Sequence, residues 1–280
     1  MTPTHELLQV LTLEPIDDDI WRGDTPPDRT GRVYGGQVAA QSLMAAYKSL
    51  EGRTCVSLHA YFVRGGDPKL PILYHVERVR DGGSFSVRRV AAVQDGHQIF
   101  NLAATFQIPE KGLEHQAEMP KVPGPEGLKN EDEIRAALPE QNEWSRHIWP
   151  IEVRPCDPTP RDAGKLSPVM DVWMRARQPV GGSVALQQAV LVYASDMTLL
   201  DPSLRPHGIP WNGGLQVASL DHAIWFHHDT DFTEWHLFHQ DSPVAAGGRG
   251  FNRGSFYTQD GKLVASASQD ALIRYREPKG

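Results

Sequence analysis

Residues 183–200 read SVALQQAVLVYASDMTLL, and Asp196 is the only charged residue among them. No proline or glycine interrupts the stretch, and Gly181-Gly182 precede it. A segment of this length that is apolar on nearly every side is typical of a helix buried in a core. A carboxylate on such a helix requires hydrogen-bond donors, because the burial of an uncompensated charge is very costly. We therefore expect Asp196 either to face a polar cavity or to have a structural partner.

The composition of the whole chain limits the classes of protein to which it belongs. It has 280 residues, of which 40% are hydrophobic and 22% charged, as in one large or two ordinary soluble domains. The net charge of −7 argues against nucleic acid as a partner. No apolar run predicts membrane insertion, and the N-terminus does not resemble a secretory signal. Two cysteines, Cys55 and Cys156, suit a reducing compartment, so we expect a cytoplasmic protein.

A second helix rich in small residues is predicted at 35–50, where it begins with Gly35-Gly36. Four stretches after it have the β-branched and aromatic composition of strands. These predicted strands are Val56–Arg64, Ile72–Arg80, Ser84–Gln94 and Gln98–Ile108. A polar, proline-rich and charged segment then predicts a linker at 111–145, with one short helix at Asn130–Leu138.

The same order of elements follows a second time. An extended segment at Ile151–Cys156 precedes the 183–200 helix, and four further strands come after that helix. They are predicted at Leu215–His227, Glu234–Gln240, Gly250–Gln259 and Lys262–Arg274. The tripeptide Gln-Asp-Gly occurs at 94–96 and again at 259–261, which is a separation of 165 residues. An internal repeat at a nearly constant separation predicts two copies of one structural unit.

The predicted domains are a first repeat at 1–110, the linker at 111–145 and a second repeat at 146–280. Each repeat is one buried helix followed by an antiparallel meander, which is the hotdog arrangement. We therefore predict an α+β fold, a double hotdog, in which the two tandem repeats form one continuous sheet. Joining the two sheets at their edges removes two exposed strand edges.

Three polar residues on faces that are otherwise apolar are candidates for chemistry. Alternation along the last strand places Gln269 among alanines, and alternation along Leu215–His227 places Ser219 on one face with Asp221, Ala223 and Trp225. Asp196 is the third candidate. No histidine is predicted beside Ser219 to activate it as a nucleophile. The histidines at 222–239 lack the spacing of a metal site, and no dinucleotide or phosphate fingerprint is present, so we predict neither metal nor cofactor.

A carboxylate, a hydroxyl and an amide are suited to hold one water. Asp196 would act as a general base, while Ser219 and Gln269 would orient the water. Such a site suits hydrolysis of an activated acyl group such as a thioester, whose thiol is a good leaving group. The oxygen of the tetrahedral intermediate needs donors, and backbone N–H groups at a glycine-rich helix start supply them.

Several blocks of the chain together resemble the acyl-CoA thioesterase II family, typified by bacterial TesB. They are RVYGGQVAAQSLMAA at 32–46, HAYFVRGGD at 59–67, RDGGSFSVRRVAAVQDGHQIF at 80–100, YASDMTLL at 193–200, SLDHAIWFH at 219–227 and RGFNRGSFYTQDGKLVASASQDALIR at 249–274. The resemblance implies a double hotdog that hydrolyses acyl-CoA without a metal. The family's catalytic Asp, hydroxyl and Gln fall on Asp196, Ser219 and Gln269. The hydroxyl residue is Thr in the bacterial type member and Ser here.

The resemblance and the repeat lead to further expectations. We expect one catalytic site per chain, because Gln269 corresponds to Ala104 in the first repeat. Gly35, Gly36 and His59 are candidates for substrate binding. The acyl chain is expected in an apolar tunnel beside the 183–200 helix. Candidates for binding the nucleotide end of the substrate are arginines, namely Arg64, Arg88 and Arg253. A homo-oligomer is expected.

Two alternative functions remain open at this stage. The first is a hotdog hydratase or dehydratase, which requires a His–Asp pair that the block around His59 does not supply. The second is an acyl-CoA-binding protein without catalysis, although such a protein has no need for a carboxylate in a buried helix.

Overall fold

The computed structural model describes residues 2–26, 31–137, 147–159, 163–209 and 214–275. Its helices are α1 (Pro3–Val10), α2 (Gly35–Tyr47), α3 (Glu131–Ala136) and α4 (Val184–Ser195). Its strands are β1 (Glu14–Asp17), β2 (Ile20–Gly23), β3 (Thr54–Phe62), β4 (Ile72–Asp81), β5 (Phe85–Gln94), β6 (His97–Gln107), β7 (Ile151–Pro155), β8 (Val169–Ala176), β9 (Leu215–Ser219), β10 (Asp221–Phe226), β11 (His236–Ala246), β12 (Arg249–Thr258) and β13 (Leu263–Tyr275).

The strands of the described residues form one antiparallel sheet. Their order is β1-β2-β4-β5-β6-β3-β10-β13-β12-β11-β8-β7, and β9 pairs with β13 beside β10. The order of the first half is repeated in reverse by the second half, so that β3 and β10 meet at the centre. There His59 is paired with Ala223, and Leu58 with Ile224. The double hotdog with one continuous sheet, predicted from the internal repeat, is therefore confirmed.

Both long helices lie on the inner face of this sheet and pack against each other. Helix α2 contributes small buried side chains, including Ala39, Ala40, Ala45 and Ala46, which allow helix and sheet to approach closely. Helix α4 is buried over most of its length, from Gln187 to Ser195. Side chains of both halves belong to one hydrophobic core. No helix of the described residues is long and apolar enough to cross a membrane.

The segment between the two halves packs on a second hydrophobic cluster of the C-terminal half. This cluster is formed by Trp173, Trp235, Leu237 and Tyr257, with Met119, Val122 and Leu128 against it. The Trp173 indole N–H donates to the Pro123 carbonyl at 2.8 Å. The short helix predicted at 130–138 is α3, capped by Asn130, and Leu138 lies outside the described residues, as does the predicted domain boundary at 145–146.

Several predicted elements differ from the structure. A hairpin precedes the buried helix in each half, β1–β2 before α2 and β7–β8 before α4. For the second half, the sequence predicted only the extended segment at 151–156. Strands β1 and β2 are only four residues long, and the pairing of β8 with β11 is not visible in local composition. The helix predicted at 183–200 ends at Ser195, because a turn follows and Pro202 cannot continue a helix. The strand predicted at 215–227 is interrupted at Leu220.

Candidate active site

Asp196 lies where helix α4 ends, as the C-cap residue. Helices α2 and α4 run antiparallel, so the beginning of α2 lies against the end of α4. The Gly36 backbone N–H lies near the Asp196 carboxylate and acts to lower its pKa. This carboxylate therefore faces the positive end of the α2 dipole, where a negative charge is stabilised.

Gly35 and Gly36 permit this close approach of the two helix ends. A Cβ on Gly35 would lie 2.7 Å from both Asp196 Oδ2 and Phe62 Cε1. A Cβ on Gly36 would lie 2.6 Å from the Tyr193 carbonyl oxygen. The two glycines thus shape the surroundings of Asp196. Gly35 and Gly36 stay candidates for substrate binding.

A β-bulge at Leu220 decides which side chains of β9 and β10 face inward. Ser219 is paired with Ala271, but Ala223, four residues later, is paired with Ser268, only three residues earlier on β13. One extra residue on a strand changes the alternation of its side chains. Ser219 and His222 therefore both face the core.

The sequence predicted that Ser219 shares its face with Asp221, Ala223 and Trp225, and this assignment is wrong. Trp225 is 37% exposed on the outer face, whereas His222 and Ile224 are buried on the inner face. The extra residue at Leu220 reverses the alternation that a single regular strand would have had.

The predicted trio is brought together by direct hydrogen bonds. The Gln269 amide nitrogen donates to Ser219 Oγ at 2.7 Å, and the Ser219 hydroxyl donates to Asp196 Oδ1 at 3.0 Å. Gln269 is fully buried, while Asp196 and Ser219 are half-buried. A carboxylate, a hydroxyl and an amide thus converge at the junction of α4, α2 and the centre of the sheet.

The electrostatics of this junction favour the proton-accepting role that the sequence predicts for Asp196. Burial raises the pKa of Asp196, and the Ser219 hydroxyl and the Gly36 N–H oppose this rise. A carboxylate of higher pKa is a stronger base, provided that it is ionised at the working pH. Burial also lowers the pKa of His222, so this imidazole is neutral near pH 7.

Comparison with known proteins relates this arrangement to a family. The acyl-CoA thioesterase family model matches residues 141–272, and the model of the acyl-CoA thioesterase N-terminal domain matches residues 25–107. Acyl-CoA thioesterase 2 of Haemophilus influenzae is 39% identical over 281 residues, covering 98% of each chain. This chain belongs to the acyl-CoA thioesterase family. Its resemblance to acyl-CoA thioesterase II, inferred above from sequence blocks, is thereby confirmed.

Two further relatives of this thioesterase family member extend the comparison. Human acyl-coenzyme A thioesterase 8 is 40% identical over 283 residues, covering 95% of this chain and 88% of the relative. The crystal structure of acyl-CoA thioesterase II TesB2 from Mycobacterium marinum has a TM-score of 0.81 and 38% identity, covering 96% and 98% of the two chains. The similarity thus includes both halves of the double hotdog.

His222 is a site residue of this thioesterase family member that sequence reasoning missed. Its Nδ1 lies 2.8 Å from Gln269 Oε1, and its Nε2 lies 2.8 Å from Ser195 Oγ. No hydrogen bond joins it to Ser219, so it is not placed to activate that serine. Three-residue spacing between Ser219 and His222 is compatible with a shared face only when a bulge lies between them, and local sequence did not reveal the bulge.

His59, predicted as a candidate for substrate binding, is not part of this group. It lies on the outer face of β3, opposite in direction to the buried Leu58 and Ala60. Its ring packs edge-on against Trp225 with centroids 5.2 Å apart. Its strand position directs the side chain away from the trio, and its role in substrate binding stays a prediction.

The three arginines considered for the nucleotide end of the substrate lie in different surroundings. Arg88 is buried and paired with Asp81 at 2.7 Å, and Arg253 is paired with Asp241. Arg64 is exposed and forms no ion pair within the described part of the chain, as is also true of Arg32. Arg64 lies two residues after Phe62, which borders the Gly35 position beside Asp196. Of the three, only Arg64 is exposed without an ion pair in the described part of the chain.

The equivalent end of the helix pair in the first half holds different chemistry. There the Tyr47 hydroxyl accepts from the Cys55 N–H at 2.7 Å and donates to the Gln188 side chain. Ala104 occupies the position equivalent to Gln269, and it is buried. Across residues 2–26, 31–137, 147–159, 163–209 and 214–275, no group of three or more His, Cys, Asp or Glu side chains is arranged to hold a metal.

Proposed function

We propose that this chain is an acyl-CoA thioesterase, which hydrolyses fatty acyl-CoA to free fatty acid and CoA through a water activated by Asp196, Ser219 and Gln269. The observation that carries the proposal is the continuous hydrogen bonding from Gln269 through Ser219 to Asp196, at 2.7 and 3.0 Å, in a member of this family. The relatives named above are all described as acyl-CoA thioesterases.

The reaction follows from the acid–base character of the three groups. The water oxygen attacks the thioester carbonyl carbon while Asp196 takes a proton from this water. Gln269 and Ser219 orient the water for the attack. The tetrahedral intermediate then collapses with cleavage of the C–S bond. The departing thiolate receives the proton from Asp196, which returns the carboxylate to its ionised state. The negative oxygen of the intermediate lies near the positive end of α2, where charge is stabilised.

The nucleotide end of acyl-CoA carries phosphates, and we assign Arg64 with Arg32 to bind them. A Cβ on Gly65 would lie 2.8 Å from Arg32 Cδ, so the segments that carry the two arginines are neighbours. We further propose that the acyl chain lies in an apolar tunnel beside α4, and that the protein works in the cytoplasm as a homo-oligomer.

The decisive experiment measures thiol release from a panel of acyl-CoAs by the wild type, Asp196→Asn and Asp231→Asn. Asp231 is the matched control, because it accepts hydrogen bonds from Thr233 and Gln187 near the opposite end of α4. We expect loss of about two orders of magnitude or more in kcat for Asp196→Asn. Asp231→Asn is expected to retain the wild-type kcat.

The pH dependence supplies a second readout of the same proposal. Only ionised Asp196 accepts a proton, so kcat/KM is expected to fall as the pH decreases through its raised pKa. Asp196→Asn should lose this acidic limb together with its activity. Full activity of Asp196→Asn would contradict the proposed site. Hydration of crotonyl-CoA without thiol release would indicate a hydratase, and binding of acyl-CoA without turnover would indicate a binding protein.

A further inference from the structure

His222 is a fully buried polar side chain that touches the trio without touching the reacting atoms. It is only 1% exposed and lies between Gln269 and Ser195. We propose that His222 is a positioning residue, which holds the Gln269 amide in the orientation that directs the Ser219 proton to Asp196. This inference rests on the proposed function and concerns a residue outside the predicted trio.

The donors and acceptors determine the direction of the hydrogen bonds. Gln269 Oε1 is a carbonyl oxygen and only accepts, so His222 Nδ1 must carry a proton and donate to it. The other end of the amide, Nε2, only donates, and it faces Ser219 Oγ. Ser219 then uses its single hydroxyl proton toward Asp196. Every bond from His222 to Asp196 thus points toward the carboxylate.

The opposite amide orientation would reverse this sequence. If the Gln269 amide were rotated by a half-turn, Oε1 would face Ser219. It would then compete with Asp196 as the acceptor of the hydrogen bond from the Ser219 hydroxyl. Asp196 would lose a donor that stabilises its ionised form, and the ionised form is the base in the proposed reaction. A proton on His222 Nδ1 excludes this orientation, because the Nδ1–H donor would then face the N–H donors of the rotated Gln269 amide.

Ser195 supports the required tautomer of His222. Its hydroxyl lies 2.8 Å from His222 Nε2 and 2.9 Å from the Val192 carbonyl oxygen. A neutral imidazole with its proton on Nδ1 has a bare lone pair on Nε2. The Ser195 hydroxyl faces this lone pair with a single proton, and the Val192 carbonyl oxygen is the competing acceptor. The Nδ1–H tautomer therefore requires that this proton turns to Nε2. Ser195 immediately precedes Asp196, so the end of α4 supplies both the base and the group that sets the histidine. The network therefore begins and ends on one helix.

The proposal is tested by the variants His222→Leu and His222→Asn, assayed for thiol release. Leu removes the donor while keeping bulk, whereas the Asn side-chain N–H lies close to the position of Nδ1–H. We expect kcat of His222→Leu to fall by about 100-fold with KM nearly unchanged, because a misoriented catalytic group costs rate rather than binding. His222→Asn is expected to recover about 10-fold of this loss.

Matched controls separate positioning from general loss of stability. His236 is also fully buried in a strand, but its partners are Thr230 and the Glu234 carbonyl. His236→Leu and His236→Asn should lower the melting temperature without changing kcat. Ser195→Ala is a milder second variant that removes the hydroxyl facing His222 Nε2 and the Val192 carbonyl, and it should lower kcat about fivefold. Its control is Ser203→Ala, at a buried serine that donates to Leu200.

Three results would overturn the proposal. The first is an unchanged kcat in His222→Leu, and the second is the absence of rescue by His222→Asn. The third is an equal loss of kcat in His222 and His236 variants whose melting temperatures are lowered equally. If His222→Leu does not fold, wild-type kcat in Ser195→Ala overturns it. An inactive Asp196→Asn beside a fully active His222→Leu removes only this inference, whereas a fully active Asp196→Asn removes the proposed function and this inference together.

Discussion

At the scale of single residues, the position of Asp196 depends on the absence of a side chain at Gly35. A glycine within the first turn of a helix usually costs stability relative to alanine. Gly35 lies at such a position, yet its hydrogen leaves room for Asp196 Oδ2 and the Phe62 ring at 2.7 Å from where a Cβ would be. We infer that conformational stability is lost here so that a carboxylate can lie against the helix start.

Gly35→Ala is therefore expected to lower activity although it favours the helix. The added methyl group displaces either Asp196 or Phe62, and a displacement of about 1 Å costs about 100-fold in kcat. The measurement is thiol release by Gly35→Ala beside Gly83→Ala, whose Cβ would meet no atom within 4 Å. Wild-type turnover by Gly35→Ala would show that the close approach of α2 to Asp196 has no role in activity.

At the scale of elements, the two ends of the α2–α4 pair are geometrically equivalent and chemically different. One end carries Asp196 and Gly36 N–H, with Ser219 and Gln269 beside it. At the other end, Tyr47 bridges the Cys55 N–H and the Gln188 side chain, and burial raises the pKa of the Tyr47 hydroxyl. These contacts satisfy polar groups of the helix pair. We conclude that this end stabilises the helix pair.

Tyr47→Phe is expected to reduce stability without reducing kcat. Removal of the hydroxyl leaves two buried polar groups without this partner, which costs about 1–3 kcal/mol of unfolding free energy for such a group. Urea unfolding and thiol release of Tyr47→Phe, compared with Tyr61→Phe at a 60% exposed tyrosine, measure the two effects. A large loss of kcat at unchanged stability would indicate a catalytic role for this second end.

At the scale of the whole molecule, the charge of the protein and that of its proposed substrate have the same sign. The chain carries a net charge of −7, and phosphates are anionic. Association therefore requires a local positive field, which unpaired arginines near the site supply. Arg32 and Arg64 are the residues that we propose for this role, since most other arginines of the described chain are bound to carboxylates or carbonyls.

The double variant Arg32→Gln and Arg64→Gln is expected to raise KM for acyl-CoA by about 10-fold with kcat unchanged. The ionic-strength dependence of kcat/KM should become weaker at the same time, because fewer charges attract the substrate. Arg253→Gln is the matched control, since that side chain is paired with Asp241 on β11. Identical KM values in the double variant and the wild type would place the nucleotide end elsewhere.

Much of this molecule follows from local sequence. Apolar composition identified the buried helix with Asp196, and the Gln-Asp-Gly repeat identified two tandem units that form one sheet. Alternation along the last strand was sufficient to direct Gln269 inward, because β13 keeps a regular register through that residue. The short hairpins and the end of α4 were not predicted, because long-range pairing and a turn before Pro202 determine them.

The sequence by itself determined the chemical types at the site: a carboxylate in a buried helix, a strand hydroxyl and a strand amide. Only the tertiary structure decided how they are joined. A single extra residue at Leu220 changes the alternation between Ser219 and His222, and this bulge arises from pairing with a distant strand. Side-chain direction in a strand depends on register, and register depends on partners far away in sequence. For this reason local sequence did not reveal that His222 faces the core.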